Sequence, residues 1–247
     1  MIPAESRRSD PPVESTRRVL PPPLTWSRGR ASRVAGQAEG TSAAGRERRY
    51  LRVKRLLDIL VAGAALLLLW PLFLLVALAI VCDDRGPVFY RQIRVGRYGR
   101  RFTFWKFRSM VAGADAIKTA LAACNEAEGP IFKMRHDPRV TRVGRFLRRY
   151  SIDELPQLIN VLRGDMSLVG PRPHLPSEVA CYTLRQRARL SVLPGLVCWR
   201  EVSGRSCIGF ERWIEMDLCY IERRSLRTDL TILLRVIPAL LRPEGAY

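Results

Sequence analysis

From Ile59 to Cys82 the chain carries no charged residue, and Pro71 falls near the middle of that run. A helix of about 20 apolar residues is long enough to cross a hydrocarbon core, so the segment is a membrane element and the rest of the fold must be built around it. Its flanks are strongly basic: Arg46, Arg48, Arg49, Arg52, Lys54 and Arg55 precede it, and Arg85, Arg91, Arg94, Arg97, Arg100 and Arg101 follow. Lys and Arg favour the cytoplasmic side, and a single crossing satisfies only one of these flanks. Proline removes an amide donor and clashes with the preceding turn, so Pro71 supplies a place for a sharp bend. The expectation is a helix, break, helix hairpin that enters and leaves by one face, favoured over a kinked span. Asp58, near the entrance, needs a cation, and Lys54 lies four residues earlier on the same helical face.

Outside this element, 47% hydrophobic content over 247 residues is enough for a sizeable core. The charge of +19, from 42 basic and 23 acidic residues, marks a negatively charged partner: nucleic acid, anionic head groups or a phosphorylated substrate. Six cysteines are scattered without a C-x-x-C pair, and read as reduced thiols in a cytoplasmic body. Residues 1–50, rich in Pro, Ser, Gly and Arg, read as a disordered basic arm. The apolar run starts too late for a signal peptide. Residues 51–84 then form the membrane hairpin, and 85–247 the cytoplasmic domain lying on the membrane face.

That domain reads as mainly α with a small β-hairpin. Gly86-Pro87 stops the membrane helix, Val88 to Val95 reads as a strand, and a turn at Gly96-Arg97-Tyr98-Gly99 leads into Phe102-Thr103-Phe104-Trp105. The interleaved basic and aromatic residues ending in Lys106-Phe107-Arg108 could line a nucleic-acid groove, but beside a membrane anchor they more naturally meet phosphates at the bilayer surface. Helices are expected over 112–123 and 141–150. Leu226 to Leu241 repeats apolar residues at helical spacing, which suits an interfacial amphipathic helix or a core helix. His136 and His174 have no partners at metal-ligand spacing.

Two readings compete at Ser151-Ile152-Asp153-Glu154-Leu155-Pro156-Gln157. Taken alone, Ser151 and Glu154 make a capping box, with Pro156 tolerable in the first turn. Taken with its surroundings, the acid pair stands beside Arg148 and Arg149 and ahead of Gly170-Pro171-Arg172-Pro173. Two carboxylates can share a divalent ion with phosphate oxygens, and an arginine framed by prolines can clamp a diphosphate. Acids, metal and arginine together suit phosphoryl chemistry.

The ordered series Gly86 to Gln92, Lys106 to Met110, Asp137-Pro138-Arg139, Ser151 to Gln157 and Gly164 to Pro173 resembles the bacterial sugar transferase family, monotopic phosphoglycosyl transferases acting on polyprenyl phosphate. The resemblance covers about Arg52 to Leu241 and looks like the minimal catalytic form. It implies an enzyme on the cytoplasmic face of the bacterial inner membrane that moves a sugar-1-phosphate from a UDP-sugar to polyprenyl (undecaprenyl) phosphate, releasing UMP, at the start of exopolysaccharide, O-antigen or capsule assembly. By that resemblance Asp153 is the nucleophile that carries the phosphosugar, Glu154 helps Asp153 hold Mg²⁺, and Lys106, Arg148 and Arg172 meet phosphates. Asp217 matches a further acidic position near the site. The same family raises the preference for a re-entrant anchor bent at Pro71. Two departures stand out: Trp70 precedes Pro71 where many relatives carry serine, and the loop at 194–205 has Cys198, Glu201 and Ser203 where glycine, glutamine and asparagine are usual. An amide replaced by a carboxylate loses its donors.

Two other classes remain to be tested. A membrane-tethered nucleic-acid binder would leave the acid pair and Arg172 without a purpose, so no nucleic-acid partner is expected. A non-catalytic scaffold of a polysaccharide assembly complex would survive loss of Asp153. The identity of the sugar, self-association and contacts with other glycan-assembly enzymes are left open by the sequence.

Overall fold

One helix, α1, runs from Gln37 to Asp83 without interruption, and the rest of the protein is folded against one side of it. The structure, a computed structural model, describes residues 37–127, 129–204 and 208–241. From Gln37 onward the chain forms a single unit. The arm expected over 1–50 therefore gives way to helix at Gln37, and its earlier part lies outside the described residues.

The helix buries Asp58, Ala62, Val76 and Ile80 along one face. Its other face exposes Leu67, Leu68, Leu74, Leu75 and Leu78, and the most apolar window, of mean hydropathy 2.9, is only 11% buried. So much exposed leucine needs a lipid solvent. The expected break at Pro71 does not divide the helix, because Pro71 stays within helical backbone. Proline removes only one amide donor, and packed residues on both sides of it, Leu66 and Phe73, tie the two halves to the same body. Lys54 is a cationic neighbour of Asp58, as expected, and its charge favours the carboxylate, but the direct bonds go elsewhere. Lys54 Nζ donates to Asp229 at 2.7 Å, whereas Asp58 accepts from Ser167 Oγ and the Leu168 amide at 3.0 and 2.9 Å. Tertiary packing gives each a direct partner from a distant segment.

Strands β1 (Phe89–Val95) and β2 (Arg101–Phe107) form the expected antiparallel hairpin, with Phe89 opposite Phe107 and Val95 opposite Arg101. Alternation along β2 buries Phe102 and Phe104 and places Lys106 on the same face. Of the helix expected at 112–123, α2 (Ala114–Lys118) and a 3₁₀ turn at Ala122–Cys124 form. The residues of α2 are mostly exposed, and a short helix with little packed surface does not propagate. Helix α3 (Arg142–Arg149) is capped by Thr141, whose hydroxyl accepts from the Gly144 amide at 2.9 Å.

Helix α4 (Gln157–Arg163) lies between α1 and β2. Asn160 fastens it to the strand by accepting from the Trp105 amide and donating to the Thr103 carbonyl. Arg55 of α1 donates to the Val161 and Leu162 carbonyls at the other end. Two short parallel strands, β3 (Ser167–Val169) and β4 (Gly195–Val197), were not expected. They meet through glycine: a Cβ on Gly195 would lie 2.0 Å from the Gly170 nitrogen. The remaining helices are α5 (Pro176–Ala180), α6 (Leu184–Arg187), α7 (Trp199–Ser203), α8 (Phe210–Arg223) and α9 (Leu226–Leu241). The largest core joins Ala62 of α1, Phe102 and Phe104 of β2, Leu158 and Val161 of α4, Tyr220 of α8 and Ile232 of α9. It makes a mainly helical fold with two small sheets, in which the apolar helix is part of the core it anchors.

Candidate active site

The acid pair is delivered by a turn that only close packing explains. Gly144 of α3 lies so near Ser109 that a Cβ there would meet the Ser109 carbonyl oxygen at 2.0 Å, and Thr141 N donates to that same oxygen. This docks α3 beside the end of β2 and brings Arg148 Nε within 3.0 Å of Ser109 Oγ. At the far end of α3, Ser151 adopts a left-handed conformation with φ of 57° and turns the chain into a single 3₁₀ turn, Ile152–Glu154. The capping box read from Ser151 and Glu154 does not form: Ser151 makes no cap bond, and Glu154 points to cations instead.

Those cations are Lys106 and Arg172. Lys106 Nζ lies 2.7 Å from Glu154 Oε1 and 3.3 Å from Asp153 Oδ2, so one ammonium gathers both carboxylates. Arg172 grips both oxygens of Glu154 and extends Nη1 to Glu201 Oε1 at 2.8 Å. The Arg172 backbone is held equally well. Its carbonyl accepts from Arg189, the next carbonyl, of Pro173, accepts from Arg94, and the following one, of His174, accepts from the Val95 amide. Prolines on both sides limit the backbone further, so the guanidinium is presented by a segment with little freedom.

Electrostatics follows from this geometry. Burial opposes ionisation of Glu154, but the charges of Arg172 and Lys106 outweigh it and hold its carboxyl well below the usual carboxylate range. Glu201 moves the other way: burial and the nearby Glu154 charge raise it against the pull of Arg172. His174 is buried and faces Arg189, Arg94, Arg172 and Arg200, and burial together with these cations pushes it well below an ordinary imidazole. It is therefore neutral. Arg189 donates to the Tyr182 hydroxyl, and that hydroxyl donates in turn to His174 Nδ1 at 2.5 Å. Burial pushes Tyr182 up to about 12 although Arg189 opposes it.

Two clefts open on these groups. One, of about 460 Å³, is lined by Lys106, Arg148, Asp153, Glu154, Arg172 and Glu201 on its polar side and by Leu196, Val197, Val236 and Leu240 on its apolar side. The other, of about 380 Å³, is bounded by Tyr90, Gln92, Lys118, Phe132 and Arg139 and shares Lys106, Arg148 and Asp153 with the first. Lys106, Arg148, Asp153, Glu154 and Arg172, all expected from sequence, are thus brought together. Asp217 is not among them. It is 1% exposed and paired with Arg189 Nη2, which also reaches the Arg172 carbonyl, while Arg189 Nη1 reaches Tyr182. It supports the Arg172 segment from behind. Sequence reasoning missed Arg189, which sits in a run of arginines with nothing to single it out, and it marked Glu201 only as a departure.

Asp153 and Glu154 converge on one ammonium, so their oxygens fit a divalent cation that keeps further positions for phosphate oxygens. Among the described residues no group of three or more His, Cys, Asp or Glu side chains forms a closed metal site.

These features describe a protein with a long, lipid-facing apolar helix and a cleft that pairs carboxylates with cations, and comparison with known proteins places it more closely. Residues 49–243 match the family described as bacterial sugar transferase, and the chain belongs to that family. It is 39% identical over 198 residues to the exopolysaccharide production protein ExoY of Rhizobium meliloti, covering 78% of this chain and 88% of that protein. It is 43% identical over 202 residues to the UDP-glucose:undecaprenyl-phosphate glucose-1-phosphate transferase of Caulobacter vibrioides, covering 78% and 72%. With the galactosyl transferase CpsE of Streptococcus agalactiae the identity is 42% over 199 residues, which is 80% of this chain but only 44% of that longer protein.

Proposed function

We propose that the protein transfers a sugar-1-phosphate from a UDP-sugar to undecaprenyl phosphate at the cytoplasmic face of the bacterial inner membrane, as the first step of exopolysaccharide, O-antigen or capsule assembly. The observation that carries this reading is the convergence of Asp153, Glu154, Lys106 and Arg172 in a cleft whose Leu196 and Val197 pack into the same core as the apolar helix α1. The name of the Caulobacter relative, a UDP-glucose:undecaprenyl-phosphate glucose-1-phosphate transferase, supports it.

In this mechanism an Asp153 oxygen attacks the sugar-bearing phosphorus, the bond to the bridging oxygen breaks, and UMP leaves with that oxygen. An oxygen of undecaprenyl phosphate then attacks the same phosphorus, the aspartyl–phosphorus bond breaks, and Asp153 is restored as a carboxylate. Splitting the transfer lets each anion approach separately. Arg172 and Lys106 turn from Glu154 towards substrate oxygens, and Arg148, which lines both clefts, faces the same space. Mg²⁺ held by Asp153 and Glu154 would offset phosphate charge.

With a bend at Pro71 in place of the expected break, helix α1 would serve as a re-entrant anchor rather than a span. Arg55 and Asp58 near its start and Asp83 at its end all bond to the same body, Asp83 through the Val143 amide at 2.8 Å. Ends on opposite faces would carry that body through the bilayer. Cysteines placed at Arg49 and Arg91 should label from one side only; labelling from opposite sides would show a span.

The activity is tested with membranes containing the protein, undecaprenyl phosphate and a panel of UDP-sugars, following UMP. Release that depends on a donor and falls to background in Asp153→Asn is expected. Equal release by wild type and variant, or none with any donor, would refute the reading.

A further inference from the structure

The first cleft holds a guanidinium with no bonded partner. Arg94, Lys106 and Arg172 line this cleft and each meets a carboxylate, while Arg148 bonds to Ser109. Arg200 lines it too, yet its side chain makes no hydrogen bond or ion pair among the described residues, and its Nε is buried without an acceptor. The guanidinium lies over the buried Trp213 ring, 4.1 Å from the ring centre. That contact fixes its plane and leaves its terminal nitrogens free for a ligand in the cleft.

The surrounding carboxylates are committed elsewhere. Glu201, the next residue in α7, accepts from the Cys198 amide at 2.9 Å and from Arg172 at 2.8 Å. Asp217 is taken by Arg189. Both acids attract Arg200 without bonding to it, and burial disfavours its charge against that attraction. An arginine keeps its charge at any physiological pH, so the group stands in the cleft as a cation whose hydrogen-bonding capacity is unused. Such a group costs stability, and the Trp213 face offsets only part of the cost.

The contrast with its neighbours defines the role. A phosphate reaching Lys106 or Arg172 must displace Glu154, whereas Arg200 can accept one with nothing to displace. Its planar fork matches two phosphate oxygens. Resting on the proposed transferase reading, we infer that Arg200, backed by Trp213, is a further substrate-binding residue, a preformed receptor for a phosphate oxyanion. Two sources of that oxyanion exist in the reaction: the nucleotide phosphate of the donor, which does not itself react, and the phosphate of the lipid acceptor.

The two halves of the reaction tell them apart. Protein purified in mild detergent and mixed with UDP-sugar alone should release UMP in a burst, and undecaprenyl phosphate added afterwards should discharge the sugar phosphate. In Arg200→Gln the half-saturating concentration of the phosphate held by Arg200 should rise about 10- to 100-fold, the range for losing a hydrogen bond to a charged group. A rise for the donor in the burst assigns the nucleotide phosphate, and a rise for the acceptor in the discharge assigns the lipid phosphate. Arg200→Lys, with the charge but not the fork, should fall between wild type and Arg200→Gln. Because an unpaired charge is removed, the melting temperature of Arg200→Gln should equal or exceed that of wild type. Unchanged half-saturation in both halves overturns the assignment. So does a melt of Arg200→Gln more than about 4 °C below wild type, which would show a guanidinium kept for its packing on Trp213. If wild type gives no burst with any donor, the transferase reading itself fails, whereas a wild-type burst matched by both variants sinks only the role of Arg200.

Discussion

Asp217 and Arg189 form a buried ion pair behind the site, and removing the carboxylate charge should unfold the protein far more readily than removing an exposed charge. Asp217 is 1% exposed and Arg189 3%. Arg189 binds Asp217 by one nitrogen, shares that nitrogen with the Arg172 carbonyl, and gives its other to Tyr182 at 2.5 Å. In Asp217→Asn the amide keeps the shape and one acceptor, but the guanidinium loses its only carboxylate among the described residues. Arg200, which lies 4.1 Å from the Trp213 ring and is also attracted by Asp217, loses that attraction too. Breaking a buried pair from one side costs about 3 to 5 kcal/mol, and the retained acceptor argues for about 3. For a domain of this size each kcal/mol lowers the melting temperature by about 2–4 °C, so a fall of roughly 6–12 °C is expected. Thermal unfolding in a mild detergent, followed by circular dichroism, measures it. Replacing both partners with apolar residues, in Arg189→Met with Asp217→Leu, should cost at least about 2 kcal/mol less than the sum of the single changes. An Asp217→Asn melt within about 2 °C of wild type, or strict additivity of the two, would refute the idea that this pair supports the Arg172 segment as a coupled unit.

Three further outcomes follow from the same geometry. Because burial and the surrounding arginines push His174 well below its ordinary value near 6.5, the unfolded chain binds a proton that the folded one refuses. Stability present above pH 6.5 is therefore lost as the pH falls, by about 1 kcal/mol between 6.5 and 5.5; His174→Asn, which keeps an acceptor for Tyr182, should flatten that slope in a series of melts, and an unchanged slope would assign it elsewhere. Arg172→Lys loses the two-pronged grip seen on Glu154 and should lower kcat/KM about 100-fold, whereas Glu201→Gln leaves that grip intact and should change it less than about threefold; similar losses in both would contradict the division of roles. Gly195→Ala places a methyl 2.0 Å from the Gly170 nitrogen, so loss of folded protein in fluorescence-detected size exclusion is expected, and a well-folded variant with a wild-type melt would rule out the close approach of β3 and β4.

Some of this was legible in the sequence and some was not, for physical reasons. The hairpin of β1 and β2 and the helix at Leu226–Leu241 follow from local periodicity, and both appear where expected. The acid pair, Lys106, Arg148 and Arg172 were recognisable because short ordered motifs carried them. Their convergence depends on tertiary features that no local pattern announces: the close contact of Gly144 with Ser109, the left-handed Ser151, and a parallel pairing of three-residue strands. Periodicity also gave only part of the pairing. Lys54 acts on Asp58 from four residues away, yet each bonds directly to a partner more than a hundred residues away. Arg189 was invisible for the opposite reason, since its role comes from burial among Tyr182, His174 and Asp217 rather than from its neighbours in sequence.

The charge balance of the site links the anchor to the chemistry. Every cation that meets Glu154 is already neutralised: Lys106 by both acids, Arg172 by Glu154 and Glu201. A phosphate reaching Arg172 must displace a carboxylate, and the displaced acids then lack a counter-charge in a site too buried to leave them unpaired. Under the proposed function, that is the deficit a divalent cation on Asp153 and Glu154 would fill. The rearrangement needs side chains that can change partners while their backbones stay fixed. Arg172 meets this through its flanking prolines and the hydrogen bonds from Arg189 and Arg94, and the acid turn meets it through α4. Helix α4 is in turn held by Arg55, at the point where α1 becomes apolar. Under the proposed function, Arg55, at the start of the apolar run, therefore ties the membrane segment to the helix that follows the nucleophile, so the anchor would help set where the chemistry occurs as well as holding the protein in place.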